Sequence, residues 1–251
     1  MRAFGHDGAP SYPVKTLSDD NTGMNTSFST LSLPPAVLAN LAQLGYLEMT
    51  PIQAAALPPA GRALEIASGS GQHVSWFARH LSRWTWQPTE FAAASLPSIA
   101  AWSVLDASDV AESPDSGAGA GPLANILPPL QLDVCAARWP VDGEFDAITC
   151  ANMLHASPPA TLPGLMAGAG RHLATRGVLV TYGPYVLDDE PLTASNVEFD
   201  AWLKTRDPSW GIRRLADVVA HARGAGLRLR ERIAMPANNL MLVFEREGTA
   251  P

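Results

Sequence analysis

From about residue 63 onward the apolar positions alternate between short continuous runs and stripes at helical spacing. Ala63 to Ala67 is apolar apart from Glu65, and beyond Gly71 the residues Val74, Phe77, Ala78 and Leu81 fall at i, i+3, i+4 and i+7, one face of a helix. Thr85 to Pro88, Leu130 to Val134, Glu144 to Cys150 and Val178 to Tyr182 read as four further strands. Between the last two, a helix follows Pro158 and Pro159 with Leu162, Leu165, Met166, Ala169 and Leu173 on one face, and Gly177 is placed to end it. Leu215, Val218, Val219 and Ala222 mark a final helix closed by Gly224 or Gly226, before strands at Leu227 to Ile233 and Leu240 to Phe244. Strand–helix alternation of this kind predicts a mostly parallel sheet with right-handed crossovers and helices on both faces.

The flanks and insertions break the rhythm. Residues 1–23 are rich in Gly, Pro, Ser, Asp and Thr without periodicity and read as a flexible leader. Residues 24–58 form an N-terminal segment with a helix from about Pro35 to Leu44, whose Val37, Leu38, Leu41 and Leu44 share one face. Residues 59–247 make up the main domain, with a polar, glycine-rich mobile loop at 108–122 and a cap at 184–213 that carries prolines, acids, Trp202 and Trp210.

Composition narrows the function. With 251 residues, 47% hydrophobic and 16% charged against a usual ~25%, the chain has the makings of one globular α/β unit with decorations. A net charge of −7 argues against non-specific nucleic-acid binding, which rests on clustered Lys and Arg, and favours a small-molecule ligand. The two cysteines, Cys135 and Cys150, form no C-x-x-C, so neither a zinc site nor a disulfide framework is indicated, and Cys150 reads as a buried thiol. No apolar run reaches the ~18 residues of a membrane span and the first 30 residues lack a signal-peptide core, which points to the cytoplasm.

The candidate chemistry gathers where the first strand hands over to the first helix, Leu64-Glu65-Ile66-Ala67-Ser68-Gly69-Ser70-Gly71-Gln72-His73. Glycine suits such a turn because it tolerates unusual φ and lets backbone N–H groups approach a ligand at a helix N-terminus. A phosphate loop of the G-x-x-x-x-G-K-[ST] type is a poor fit, since Gln72 and His73 stand where its lysine and hydroxyl belong. A dinucleotide fingerprint is weak too, because Val74 stands where its third glycine packs helix on strand. The remaining pattern, Glu65, Ala67, Gly69, Gly71, resembles motif I of class I S-adenosylmethionine-dependent methyltransferases. That resemblance implies that the loop with Ser68 wraps the methionine part of S-adenosylmethionine and that the strand carboxylate lies near its ammonium.

A wider resemblance covers about 59–247. The segments Trp86 to Glu90, Leu132 to Val134, Ala151 to His155, Tyr182 to Pro184, Ser195-Asn196, Arg206 to Arg213 and Met235 to Asn239 look like a little-characterised methyltransferase-like family long catalogued as a domain of unknown function. It implies a Rossmann-like class I fold with a seven-stranded sheet and one antiparallel strand near the C-terminus. In that frame Glu90 receives ribose hydroxyls, since a carboxylate accepts two hydrogen bonds at once, and Asp133 sits beside the adenine amino group. The fourth strand delivers Asn152, Met153 and His155 to its carboxyl end, where open α/β sheets place ligands. His155, with an ordinary pKa near ~6.5, is the candidate to take a proton from an acceptor hydroxyl or amine. Tyr182, Asn196, Asp207, Trp210, Asn238 and Asn239 are the further candidates for the substrate side.

Residues 28–58 resemble something else, the adenine-reading Q motif region of DEAD-box RNA helicases, with Phe28 and Gln53 at the positions that hold adenine. No phosphate loop, D-E-A-D box or second RecA-like domain follows. The expected function is therefore methyl transfer from S-adenosylmethionine to a small acceptor. A non-catalytic cofactor-binding module and an ATP-binding relic of a helicase stand as alternatives. The acceptor and the oligomeric state are not legible.

Overall fold

Each central strand serves two cores at once, because successive side chains leave opposite faces of a sheet. On the strand Gly61–Ile66, Ala63 enters one apolar cluster while Leu64 and Ile66 enter the other. The computed structural model of the chain describes residues 14–15, 60–104 and 123–248. Their elements run β1 (Val14–Lys15), β2 (Gly61–Ile66), α1 (Gln72–His80), β3 (Trp84–Glu90), α2 (Leu96–Val104), β4 (Leu130–Gln131), β5 (Phe145–Ala151), α3 (Thr161–His172), β6 (Leu173–Gly183), β7 (Tyr185–Val186), α4 (Ala194–Arg206), β8 (Arg213–Arg214), α5 (Leu215–Gly224), β9 (Leu227–Met235) and β10 (Asn239–Arg246).

The main sheet has the order β1-β9-β10-β6-β5-β2-β3-β4. The strand β10 is antiparallel to both β6 and β9, and every other neighbouring pair is parallel. From β2 the chain goes outward to β3 and β4, then returns to β5 on the opposite side of β2. That reversal opens a crevice beyond the carboxyl ends of β2 and β5, the place where open α/β sheets bind ligands. On one face α3 and α5 bury Leu165, Met166, Ala169, Val218 and Ala222 against Leu64, Ile66 and Ile148. On the other, Val74, Phe77 and Ala78 of α1 and Ile99 of α2 meet Trp84 and Trp86, with Phe77 stacked on Trp86 at 4.9 Å.

Most predicted elements lie where the pattern put them, with four differences. The helix α3 ends at His172, five residues before Gly177, and its C-terminal Leu173 N–H bonds back to Ala169 O. The chain then enters β6 at once, with Arg176 at φ 65° inside an irregularity, so that Phe145 pairs with Leu173 but Ala147 with Val178. Second, the third predicted strand is reduced to Leu130–Gln131, because pairing with β3 ends at Glu90 and Asp133 lies two residues beyond it. Third, the helix α2 between β3 and β4 was not anticipated, its sequence being apolar nearly throughout. Fourth, Val14–Lys15 of the predicted leader pairs in parallel with Arg232 and Ile233 and adds an eighth strand. The loop at 108–122 and the segment 24–58, with Phe28 and Gln53, lie outside the described residues.

Packing of α3 on the sheet rests on a small residue. A Cβ on Gly168 would fall 1.8 Å from Cζ2 of the buried Trp139, whose indole N–H donates to Val134 O. Gly168→Ala is expected to destabilise the fold by roughly 1 to 3 kcal/mol, read as a lower urea midpoint with unchanged m. An unchanged midpoint would show that Trp139 swings aside freely.

Candidate functional site

The turn after β2 is built from left-handed residues. Ala67 (φ 57°), Gly69 (φ 59°) and Gly71 (φ 97°) all occupy that region, where only glycine is free of strain. The alanine is held there by its surroundings: Ser68 N–H donates to Thr89 O, Thr89 N–H to Ser68 Oγ, and the Thr89 hydroxyl to Glu65 O at 2.7 Å. The two glycines differ in what they meet. A Cβ on Gly71 would lie 2.8 Å from Ile99 Cα, so this glycine lets α2 pack against the turn. A Cβ on Gly69 would meet nothing within 4 Å, so its face of the loop opens outward.

Two carboxylates flank this loop. Glu65 is 5% exposed, and its Oε2 is buried without a hydrogen-bond partner. Burial pushes its pKa up from 4.5 to about 7, against a hydrogen bond from Ser68, and the charge of Glu90 adds to the rise. Glu90 ends β3 half-buried: its Oε2 accepts the Gly69 N–H at 2.9 Å, while Oε1 accepts those of Phe91 and Ala92. A carboxylate offers about four lone-pair directions, so three are engaged and one remains on Oε2, where the sequence reading expected two hydroxyls to bind. Asp133 is exposed just past β4, its Oδ1 accepting the Cys135 N–H at 2.8 Å. Leu132 N–H donates to Glu90 O, which sets Asp133 on the same rim as Glu90.

The neighbouring strand contributes the other side of the crevice. Asn152 follows β5 at φ 54°, its N–H bonded to Tyr182 O, and Met153 packs half-buried against the core beneath. His155 lies in a single 3₁₀ turn, Leu154–Ala156, and is 6% exposed. Its ring stands edge-on to Phe199 of α4 at 5.3 Å and close to Gly183, and it has no hydrogen-bond partner among the described residues. Burial, with the Arg213 cation beside it, lowers its pKa from 6.5 to about 4. The ring is therefore neutral at ordinary pH, and a weaker base than its sequence implied.

Four of the other predicted residues meet over the ends of β6 and β10. Asn239 donates through Nδ2 to the Tyr182 hydroxyl at 3.1 Å, and the buried Asn196 donates to Asn238 O at 3.4 Å. Asn238 also reaches Ser195 Oγ, and its φ of 57°, like that of Ala237, shows that the paired asparagines form the turn as well. Asp207 behaves otherwise. Its Oδ1 accepts both the N–H and the hydroxyl of Ser209, and Trp210 N–H bonds to Asp207 O, so these two shape a turn that reaches His155 only through Gly211. Phe199 and Arg213, which lie against His155, and Asp200, which anchors the chain at Ile212, were not picked out as site residues from sequence. Arg213 lay inside a recognised segment, but only the fold shows it against His155. Among the described residues no group of three His, Cys, Asp or Glu could hold a metal ion.

The strand order, the single antiparallel strand between β6 and β9 and the glycine turn after β2 define the Rossmann-like fold of class I methyltransferases. Solved structures agree in fold. An O-methyltransferase family 2 protein from Planctomyces limnophilus, solved in complex with apigenin, matches with a TM-score of 0.62 at 18% identity, over 84% of this chain and 60% of that one. A putative methyltransferase from Bacillus halodurans matches with 0.57 at 16% identity over 84% and 100%. CalO1, a methyltransferase of calicheamicin biosynthesis in its SAH-bound form, matches with 0.55 at 13% over 84% and 58%. The chain itself belongs to the family described as "Protein of unknown function (DUF938)", whose model matches residues 49–246.

One curated relative is of another kind. The chain is 57% identical over 49 residues to the ATP-dependent RNA helicase DbpA of Escherichia coli, a match that spans 18% of this chain and 11% of the helicase. That bears out a short helicase resemblance and extends to no helicase domain. No helix among the described residues is long and apolar enough to cross a membrane.

The raised pKa of Glu65 carries a stability consequence whose sign is fixed. Its folded value, about 7, lies above the ordinary 4.5, so the stabilisation from the neutral carboxyl is complete below pH 4.5 and is lost as pH rises through 7. Glu65→Gln is expected to match the parent near pH 4.5 and exceed it by up to about 3 kcal/mol at pH 8. Urea denaturation at both pH values checks this; a pH-independent difference would refute it.

Proposed function

We propose that the chain is an S-adenosylmethionine-dependent methyltransferase acting on a small-molecule acceptor. The observation that carries this reading is the buried Glu65 carboxylate, with one oxygen left without a partner beside the open face of Gly69. A buried polar atom of this kind is costly unless something binds it. A cation is the natural partner, since it would favour the ionised carboxylate that burial disfavours. The ammonium of the cofactor's methionine end fits that requirement, and the class I fold supports it.

In this reading Glu65, Ala67, Ser68, Gly69 and Gly71 hold the methionine portion, Glu90 holds a ribose hydroxyl through its free lone pair, and Asp133, Asn152 and Met153 line the adenine side. S-adenosylmethionine supplies an activated methyl group on a sulfonium, so the protein's work is to align the nucleophile and exclude water. His155 is the candidate catalytic residue. A neutral imidazole with free nitrogens accepts a hydrogen bond from an acceptor hydroxyl or amine and aims its lone pair. With a pKa of about 4, its contribution is more alignment than proton abstraction. Tyr182, Asn196, Asn238 and Asn239 supply uncharged polar contacts for the acceptor, and Asp207 and Trp210 support the cap.

Calorimetric titration with S-adenosylmethionine and S-adenosylhomocysteine, with ATP as control, tests the reading. Both methyl-cycle ligands are expected to bind and ATP not. Affinity is expected to weaken below pH 7, with proton release from Glu65 on binding. ATP binding alone would favour the helicase relic, and cofactor binding without turnover on an acceptor panel the non-catalytic module.

Gly69→Val puts a branched side chain into the open face at a positive φ. A folded variant, destabilised by about 1 to 2 kcal/mol, is expected to lose detectable cofactor binding. Undiminished affinity would sink the loop assignment.

A further inference from the structure

Cofactor binding explains none of the segment Arg206–Arg213. Its last three residues close on the turn that carries His155. Arg213 Nε donates to Leu154 O at 2.9 Å and its Nη2 donates to Ser157 O, while Gly211 N–H donates to His155 O at 3.0 Å. Carbonyls at 154, 155 and 157 are thus all held from residues 211–213.

The holding segment is itself anchored. Asp200 of α4, ion-paired with Lys204, accepts the Ile212 N–H at 2.8 Å. A Cβ on Gly211 would fall 2.9 Å from Asp200 Oδ1, so glycine there lets the chain pass close against α4. Tyr185 and Val186 pair with Arg213 and Arg214, which ties the same point to the end of β6.

We propose that Arg213 is a positioning residue that clamps the turn carrying His155 and so fixes the imidazole toward the methyl acceptor; this rests on the methyl-transfer reading of His155. The geometry calls for arginine in particular. A guanidinium donates along two diverging directions and spans the two carbonyls at once, whereas a lysine ammonium on a flexible stem would hold one of them well. The same cation, with Asp200 and Lys204 behind it on α4, is the charged group packed against the ring; its other named neighbours, Phe199, Gly183 and Asn152, are uncharged. The clamp therefore fixes where the imidazole points, and its charge adds to burial in keeping the ring neutral.

The test uses the full chain with Arg213→Gln and Arg213→Lys. It measures the His155 titration midpoint by NMR of histidine-labelled protein, assigned with His155→Asn, and amide hydrogen exchange over residues 153–157. Arg213→Gln is expected to raise the midpoint by about 1 pH unit and to speed exchange in that turn by about tenfold or more, with cofactor affinity unchanged. Arg213→Lys is expected to keep the low midpoint but not the slow exchange, which separates charge from clamp. An unchanged turn in Arg213→Gln, or full restoration of slow exchange by lysine, would overturn the proposal. Should Arg213→Gln fail to fold, the lysine variant alone decides between these outcomes. Failure of the parent to bind S-adenosylmethionine would refute methyl transfer while leaving both readouts of the clamp intact.

Discussion

Taking a carboxylate out of water at the end of a central strand is the constraint on which the site depends. Glu65 sits in the middle of the sheet with parallel neighbours on both sides, so neither strand movement nor solvent relieves it. Its backbone carbonyl accepts the Thr89 hydroxyl, while one side-chain oxygen is left unmatched. The second acid, Glu90, adds to the strain through space. Its carboxylate accepts three backbone N–H groups, one of them from Gly69, so the loop is drawn across the mouth of the crevice between two acids. An anion has no place there, and a ligand with a cationic end and hydroxyls has one for each.

The opposite wall is built on a different principle. Over the ends of β6 and β10 and beside His155 the side chains are uncharged or already paired: Asn196 donates to Asn238 O, Asn239 to the Tyr182 hydroxyl, and Arg213 is committed to backbone carbonyls. In the proposed reading, a crevice with an acidic side for the cofactor and a neutral side for the acceptor suits a reaction in which the donor arrives already charged. The protein then gains little from a strong base and much from rigid placement. That division also accounts for the absence from the sequence of any triad or paired carboxylates at catalytic spacing.

How legible this was depended on whether a feature is local. The strand–loop–helix from 61 to 80 could be read because hydrophobic period, glycine placement and a strand-end acid all point the same way over twenty residues. The end of α3 misled because Gly177 has the residue type of a helix terminator, while the actual stop is set by Leu173 leaving for the sheet, where its pairing with Phe145 wins over continuing the helix. Asp207 and Trp210, candidates for the substrate side from their residue types, make hydrogen bonds within four residues that shape a turn. Arg213 could not be found from spacing at all, since its partners lie 56 and 59 positions away. The lowered pKa of His155 follows first from burial under the fold and then from the same distant cation, so its sequence neighbours say nothing of it.

The helicase-like stretch can be weighed on steric grounds as well as on missing residues. The family match begins at residue 49, and all seven strands of the family's sheet lie from Gly61 onward, so the sheet and its glycine loop need no strand from the helicase-like part. For ATP phosphates to settle in the loop, the N-terminus of α1 would have to stand open with its N–H groups bare. Instead the Gly71 position faces Ile99 of α2 at a distance that excludes even one added carbon, and Ser98 donates to Ser70 O across the same gap. The two acids beside it would repel a polyphosphate in addition. The loop after β2 therefore offers no seat for the phosphates of bound ATP, and its carboxylates suit a cation instead.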